Sequence, residues 1–297
     1  MFSHRALLAA GLGVGLVLYA LRARRRQRAR PPLILFDVDG TLAVPAQKAD
    51  AAIVDMFRRL RERGYLVGIV GAGDFEKQEG QLGGPGLRRR LDFCFSENGV
   101  HAFRGEQLLH CKSIVEQLGE ARWRQFEDGL NALLARVASE AEVLLQQAAG
   151  PSARLGARGT FLERRMCTCN VCVIGRTPAL SKAERAAFDA VDKQAGLRAR
   201  VLEELMRTYG PTTPYALNFS IGGQIGIDCA PCGWDKTFCM QFLPEAEFST
   251  IHFFGDKTEP GGGDHELYEH PRTIGHAVSS PEHTLQLVES LFLDGAP

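Results

Sequence analysis

The sequence has no acidic residue before Asp37, so its amino-terminal segment carries only positive charge. Residues 6–21 are uninterruptedly apolar or small, and an arginine-rich stretch follows at residues 22–30. A helix over residues 6–21 would be about 24 Å long, slightly shorter than the ~30 Å hydrocarbon core of a bilayer. We therefore predict a leader at residues 1–32 that acts as a signal anchor, contacts a membrane through residues 6–21, and leaves the rest of the chain in the cytoplasm. A transit or signal sequence, or a segment without function, is the alternative.

The chain as a whole lacks an excess of charge of either sign, because 35 lysines and arginines balance 35 aspartates and glutamates. This balance gives no indication of nucleic acid as a partner. The composition, 45% apolar and 24% charged, is typical of a globular enzyme, and 297 residues suffice for one large domain or two of ordinary size. No internal repeat is present. We therefore expect a cytoplasmic enzyme, anchored to a membrane if the leader is retained.

The eight cysteines include two C-x-x-C pairs, Cys169/Cys172 and Cys229/Cys232. This spacing occurs in zinc sites. The simpler interpretation is a set of reduced thiols, some alternating along a strand. A chain of this length does not need disulfide bonds to fold.

The pattern after the leader indicates a parallel sheet. Residues 33–36 and 66–70 are short apolar runs, and residues 51–63 between them have helical periodicity and end at Gly64. Strand, helix and strand at this spacing form a right-handed βαβ unit. Residues 113–231 have a mixed pattern, with a long amphipathic helix, strand-like pieces at residues 160–162 and 169–174, and a hairpin of residues 217–221 and 224–228 around Gly222-Gly223. This pattern predicts an insertion with its own antiparallel sheet. The apolar run at residues 250–254 then returns to the parallel sheet, and a predicted helix at residues 281–291 closes the fold.

Two carboxylates, Asp37 and Asp39, lie directly after the first predicted strand, where open α/β sheets place their ligands. Two carboxylates this close need a cation or a shared proton, and Mg²⁺ prefers carboxylate and phosphate oxygens. We predict that Asp37 attacks phosphorus and becomes an aspartyl phosphate. Asp39 would give its backbone carbonyl to the metal and protonate the leaving oxygen with its side chain. Within the string FDVDGTL, this pair is a strong indication of that chemistry.

Later segments supply further groups for the same site. Asp256, in the Gly-Asp pair after the later strand, completes the predicted metal ligands, and Asp264 supports them from behind. Lys236 opens a predicted helix and would neutralise the aspartyl phosphate. We therefore predict Asp37, Asp39 and Lys236 as catalytic residues, and Asp37, Asp39 and Asp256 as magnesium ligands.

The strings FDVDGTL, DFEK, ENG, RGTF, IGR, SIGGQI, GWDK and FFGDKT, followed by PGG and DHE, occur in this order. From Leu33 to the carboxyl end the sequence resembles the eukaryotic-type phosphomannomutases, members of the capped haloacid dehalogenase superfamily. The resemblance implies a Rossmann-like parallel-sheet core with an inserted α/β cap domain. It also implies magnesium, a homodimer formed through the caps, and a sugar 1,6-bisphosphate activator. The expected division is leader 1–32, core 33–112, cap 113–231 and core 232–297.

The resemblance also assigns substrate-binding residues in the cap. Phosphate-binding arginines correspond to Arg165, Arg176 and Arg185, and sugar-contacting positions to Asn170 and Asp228. Because a guanidinium group binds phosphate in a bidentate manner, several arginines suit a second phosphate that does not react.

The sequence departs from the family pattern at five positions. Ala46 replaces a substrate-binding arginine, and Gly73 replaces a hydroxyl residue that would hold the transferring phosphate. Gly226 replaces a serine that contacts the sugar phosphate. Gly263 replaces an asparagine near the metal, and His270 replaces an acidic residue. These changes leave the predicted catalytic residues intact and predict a looser grip on the substrate, with more hydrolysis of the bisphosphate intermediate.

Three functions follow from these patterns. The first is a mutase that interconverts mannose 6-phosphate and mannose 1-phosphate and supplies GDP-mannose synthesis. The second is a sugar-phosphate phosphatase of the same superfamily, in which water accepts the phosphoryl group. The third is a weakly active, membrane-tethered paralogue, suggested by the leader and the replaced substrate ligands.

Overall fold

The computed structural model describes residues 30–45 and 47–294. The predicted anchor at residues 6–21 and the departure at Ala46 therefore lie outside the described residues. Within residues 30–45 and 47–294, no helix has both the length and the apolar character needed to cross a bilayer.

The larger sheet has seven strands in the order β11-β10-β1-β2-β3-β4-β5. Neighbours from β11 to β3 run parallel, and β4 and β5 add an antiparallel edge. Its strands are β1 Leu33–Phe36, β2 Leu66–Val70, β3 Phe93–Ser96, β4 His101–Arg104, β5 Gln107–His110, β10 Ile251–Gly255 and β11 Ile274–Ala277. The predicted Rossmann-like core is thus confirmed, and β1 and β2 have the predicted bounds.

Helices cover this sheet, and the first of them packs on it through one apolar face. In α1 (Ala51–Glu62) the predicted apolar residues Ile53, Met56, Phe57 and Leu60 are all buried, and the Asp50 side chain caps the first turn. The remaining helices of the core part are α2 Phe75–Gln81, α3 Leu87–Arg90, α8 His265–Tyr268 and α9 Pro281–Val288. A π-helical turn, Glu289–Leu293, extends the last of them, where the sequence predicted continuous α-helix to residue 291.

The inserted segment forms a four-stranded antiparallel sheet in the order β6-β7-β9-β8. Its strands are β6 Leu162–Arg164, β7 Cys169–Val171, β8 Leu217–Gly222 and β9 Gly226–Pro231. Its helices are α4 Ile114–Leu118, α5 Glu120–Ala149, α6 Lys182–Ala195 and α7 Leu197–Tyr209. One face of the sheet packs on these helices through a separate hydrophobic cluster. The predicted α/β cap with an antiparallel sheet is confirmed.

Two strand predictions in the cap are displaced along the chain. Residues 160–162 were expected to be extended, but Thr160 has a φ of 56° and β6 begins only at Leu162. The second hairpin strand was expected from residue 224 and begins at Gly226, because Gly223 turns the chain with a φ of 58°. Turn geometry of this kind leaves little trace in an apolar pattern.

The cysteines are free thiols, and six of the eight are buried. Cys169 and Cys229 face each other in the β7–β9 register on the buried side of the cap sheet. In the described part of the chain, the only group of histidine, cysteine or acidic side chains with a metal-binding arrangement consists of aspartates. Neither C-x-x-C pair belongs to it.

Candidate active site

The parallel sheet brings together three carboxylates that are far apart in sequence. Asp37 directly follows β1 and Asp256 directly follows β10, and these strands are hydrogen-bonded neighbours. Asp264 is the residue before α8, and its side chain lies against Gly255, where a Cβ atom would be 2.7 Å from the Asp264 Cγ. Gly40 has a φ of 95°, and a side chain there would overlap the Asp256 carboxylate. Two glycines therefore let these carboxylates approach one another.

These carboxylates fit a divalent cation. One oxygen from each of Asp37, Asp256 and Asp264 lies within 4.8 Å of the others. The Asp256 Oδ1 atom is buried and has no hydrogen-bond partner among the described residues. A buried ammonium group bonds to two of the three carboxylates, and Mg²⁺ would offset the negative charge that remains. The sequence had placed Asp264 behind the metal site, whereas the structure places its carboxylate in the cluster itself.

Lys236 supplies that ammonium group. It begins a 3₁₀ helix, Lys236–Phe242, that is capped by the Asp235 side chain; the sequence predicted a helix here but not its 3₁₀ form. The buried Nζ donates to Asp37 Oδ1 and to Asp264 Oδ1. Burial raises the pKa of Asp37 to about 7, although Lys236 opposes this. Burial disfavours the charged form of Lys236, but the two carboxylates outweigh it, so its pKa lies above the ordinary value.

The Asp39 side chain contacts a different group of residues. Its Oδ2 forms an ion pair with Lys77 Nζ, and its Oδ1 accepts a hydrogen bond of 2.8 Å from Gln81 Nε2. Because both side-chain oxygens have these partners, the atom that Asp39 would offer to a metal is its backbone carbonyl oxygen. Sequence reasoning missed both partners as site residues. The available signal was their spacing of four residues, which places Lys77 and Gln81 on the same face of α2.

The predicted sugar-contacting residues lie on the face of the cap sheet opposite its helices. The strand register aligns Glu163, Asn170 and Asp228 across β6, β7 and β9. Asn170 Nδ2 donates to Asp228 Oδ1 over 2.7 Å. Alternation along each strand turns these polar side chains away from the apolar cluster that contains Cys169 and Cys229.

Two of the predicted arginines join this polar row. Arg165 Nη1 lies 3.2 Å from Asp228 Oδ1, and Arg176 donates to Asn170 Oδ1 and lies 3.3 Å from Glu163. Both guanidinium groups are about one-fifth exposed. The structure places Arg185 in a different contact, with its Nε donating to the Leu180 carbonyl over 3.2 Å.

The structure shows the surroundings of three residues that depart from the family pattern. A Cβ atom at Gly226 would lie 2.5 Å from Asn170 Oδ1, so the glycine leaves room for the Asn170 amide. No atom lies within 4 Å of a Cβ built at Gly263. The His270 Nδ1 accepts the backbone N–H of Arg272 over 3.1 Å, and burial and the Arg272 charge lower the pKa of His270.

A buried glutamate connects the cap to the core site. Glu97, in the turn after β3, accepts hydrogen bonds from the backbone N–H groups of Cys167 and Thr168, at 3.0 and 2.6 Å. Its own N–H donates to the Gly73 carbonyl over 2.9 Å. The cap turn that carries Arg165 is thus held against the loop after β2.

A parallel sheet with paired aspartates after β1, a buried lysine, a carboxylate cluster and an inserted α/β cap defines the capped phosphotransferase fold of the haloacid dehalogenase superfamily. A solved structure from Eubacterium rectale has a similar fold, with a TM-score of 0.51 at 15% identity over 88% of this chain and 99% of that chain.

The sequence comparisons are more specific. Residues 53–294 match the family model of the eukaryotic phosphomannomutases. The chain is 40% identical over 269 residues to a phosphomannomutase from Galdieria sulphuraria, covering 91% of this chain and 98% of that protein. It is 39% identical over 260 residues to a phosphomannomutase from Saccharomyces cerevisiae, covering 88% and 94%. The chain belongs to the eukaryotic phosphomannomutase family, and is thus an enzyme of the isomerase class.

Proposed function

We propose that this enzyme interconverts mannose 6-phosphate and mannose 1-phosphate through an aspartyl phosphate on Asp37. The observation that carries the proposal is the buried Lys236 between Asp37 and Asp264, beside the unpaired oxygen of Asp256. This arrangement occurs in a chain whose curated relatives are phosphomannomutases over nearly their whole length.

Each core residue has a role that its position supports. An Asp37 oxygen attacks the phosphorus of a sugar 1,6-bisphosphate, the activator that primes the enzyme. The Lys236 ammonium group neutralises charge on the resulting acyl phosphate. The Asp39 side chain gives a proton to the departing sugar oxygen and takes one from the hydroxyl that attacks in the reverse transfer. Mg²⁺, held by Asp37, Asp256, Asp264 and the Asp39 carbonyl, would offset the negative charge of the transferring phosphoryl group.

The cap supplies recognition of the phosphate that does not react. Arg165 and Arg176 lie in the same polar row as Asn170 and Asp228, so a phosphate and sugar hydroxyl groups can be bound side by side. Turning the bisphosphate over presents its other phosphate to Asp37 and completes the mutase cycle. We place the enzyme in the cytoplasm as a homodimer joined through its caps, supplying mannose 1-phosphate for GDP-mannose synthesis.

The test is a comparison of Asp37→Asn with Asp55→Asn, an exposed aspartate of α1. Isomerisation of mannose 1-phosphate and release of inorganic phosphate are both measured, with and without a 1,6-bisphosphate. We expect Asp37→Asn to abolish both and Asp55→Asn to leave both unchanged. Retention of more than about a tenth of the rate, a barrier change of only ~1.4 kcal/mol, would refute the nucleophile assignment. Phosphate release without isomerisation in the wild type would identify a phosphatase instead.

A further inference from the structure

The helix after β2 holds both oxygens of the Asp39 carboxylate. Lys77 Nζ forms an ion pair with Oδ2, and Gln81 Nε2 donates to Oδ1 over 2.8 Å. We propose that Lys77 and Gln81 are positioning residues that fix the direction of the Asp39 carboxylate for proton exchange with the sugar oxygen. This inference rests on the proposed function, which assigns that proton exchange to Asp39.

The helix that carries them is itself fixed to the loop beside the site. The Asp74 side chain caps α2 by accepting from the Lys77 N–H over 2.8 Å. Gln78 is buried and donates to the carbonyls of Gly71 and Gly73 at 3.3 and 3.2 Å. The Ser96 hydroxyl of β3 donates to Gln78 Oε1 over 2.8 Å. Because these bonds fix the start of the helix, Lys77 and Gln81 approach Asp39 from a defined position.

The glycine at position 73 belongs to the same arrangement. A Cβ atom there would lie 3.1 Å from Cδ and 3.6 Å from Nζ of Lys77. Any side chain at this position would therefore press on the lysine stem. Gly73 therefore leaves space beside the Lys77 side chain.

The carboxylate of Asp39 is about one-third exposed, so solvent alone would not restrain its rotation. Two donors, one on each oxygen, can restrain the rotation of the carboxylate. The direction of the Asp39 carboxylate matters most when the leaving oxygen needs a proton. A sugar alkoxide needs one, whereas a dinitrophenolate leaves readily without one. A positioning role therefore predicts a loss that depends on the leaving group.

The experiment measures kcat and KM of the full chain with magnesium for two substrates, glucose 1,6-bisphosphate and 2,4-dinitrophenyl phosphate. The variants are Lys77→Met, Lys77→Arg and Gln81→Leu. Glu76→Gln, on the exposed side of the same helix, is the control. With the bisphosphate, we expect Lys77→Met and Gln81→Leu to lower kcat/KM, which reports the step that expels the leaving group, about 10- to 100-fold, part of the 10²–10⁴ that a general acid supplies. The loss with the aryl phosphate should be much smaller, and Lys77→Arg should recover part of the bisphosphate activity.

Equal losses on both substrates would overturn the inference, because they would indicate a general disturbance of the site. Unchanged bisphosphate turnover in both variants would also overturn it. The aryl phosphate rate reports whether each variant is folded. A failure of the proposed function would look different: Asp37→Asn would then hydrolyse the aryl phosphate as fast as the wild type.

Discussion

Asp37 is a carboxylate whose charge depends on its neighbours. Burial raises its pKa to about 7, and the charge and hydrogen bond of Lys236 oppose this effect without cancelling it. In the folded protein without metal, Asp37 therefore binds a proton more tightly than in the unfolded chain. The stability that this proton contributes is present at low pH and is lost as the pH rises through about 7. Magnesium requires the deprotonated form, so its stabilising effect should have the opposite pH dependence.

This reasoning predicts a metal-dependent thermal shift. The rise in unfolding midpoint on adding Mg²⁺ should be larger at about pH 8 than at about pH 6, because Asp37 loses its proton between them. Asp256→Asn should reduce the shift, whereas the exposed Asp55→Asn should not. Thermal unfolding at both pH values, with Mg²⁺ and with a chelator, measures the effect. A shift of equal size at both pH values, or one insensitive to Asp256→Asn, would contradict the assignment of this cluster.

The three predicted phosphate-binding arginines of the cap should not be equivalent. Arg165 and Arg176 lie within the polar row, whereas the recorded hydrogen bond of Arg185 is to a backbone carbonyl. Arg165→Ala and Arg176→Ala should each raise KM for mannose 1-phosphate about 10- to 100-fold, equivalent to the ~1.5–3 kcal/mol of a charged hydrogen bond. Arg185→Ala should have a smaller effect, and a small aryl phosphate should be little affected by any of the three. Steady-state kinetics on both substrates would disprove the ranking if Arg185→Ala were the most damaging change.

At the level of helices and strands, the apolar periodicity of the sequence predicted the bounds of elements that depend on local packing. The strands β1 and β2 and the helix α1 have the predicted bounds to within a residue, because their apolar residues face the core at regular intervals. The hydrogen bond between Asn170 and Asp228 depends on the β7–β9 register, which joins residues 58 apart and leaves no local signal. The ion pair of Lys77 with Asp39 is similarly non-local. Sequence therefore predicted that Asp37 and Lys236 belong to one site, but not the contact of Asp39 with Lys77 or that of Asn170 with Asp228.

The β8–β9 hairpin allows one departure to be tested directly. Gly226→Ser restores the side chain that the family pattern expects, but its Cβ atom would lie 2.5 Å from Asn170 Oδ1. Asn170 would have to move away from Arg176 and Asp228. We expect KM for mannose 1-phosphate to rise, with little change for an aryl phosphate. Gly156→Ser is the control, because its Cβ atom would meet nothing within 4 Å. A lower KM in Gly226→Ser would show that Asn170 yields without loss.

Across the whole molecule, one turn connects the core, the active-site loop and the cap. Glu97 and Asn98 donate their backbone N–H groups to the Gly73 and Gly71 carbonyls, at 2.9 and 3.0 Å. The Asn98 side chain donates to the Trp234 carbonyl, two residues before Lys236, over 3.1 Å. The Glu97 carboxylate binds the cap turn at Cys167 and Thr168. A single buried turn therefore couples the position of the cap to both sides of the catalytic site.

Glu97→Gln tests whether this contact keeps water out of the site. The amide has nearly the same size, and its oxygen can replace Oε2, which accepts from the Cys167 and Thr168 N–H groups and from the Thr168 hydroxyl. Its NH₂ group then replaces Oε1, which accepts from the Cys167 N–H over 3.2 Å, and cannot accept a hydrogen bond. Replacing a buried charged acceptor by a neutral one weakens these hydrogen bonds by about 1 kcal/mol, so both the unfolding free energy and the docking of the cap should decrease. A looser cap admits water, so phosphate release from glucose 1,6-bisphosphate should rise relative to isomerisation.

Glu106→Gln, which breaks the exposed ion pair with Arg89, is the matched control and should change stability by less than about 0.5 kcal/mol. If Glu97→Gln lowers stability but leaves the ratio of release to isomerisation unchanged, the turn fixes the fold without governing access of water to the aspartyl phosphate.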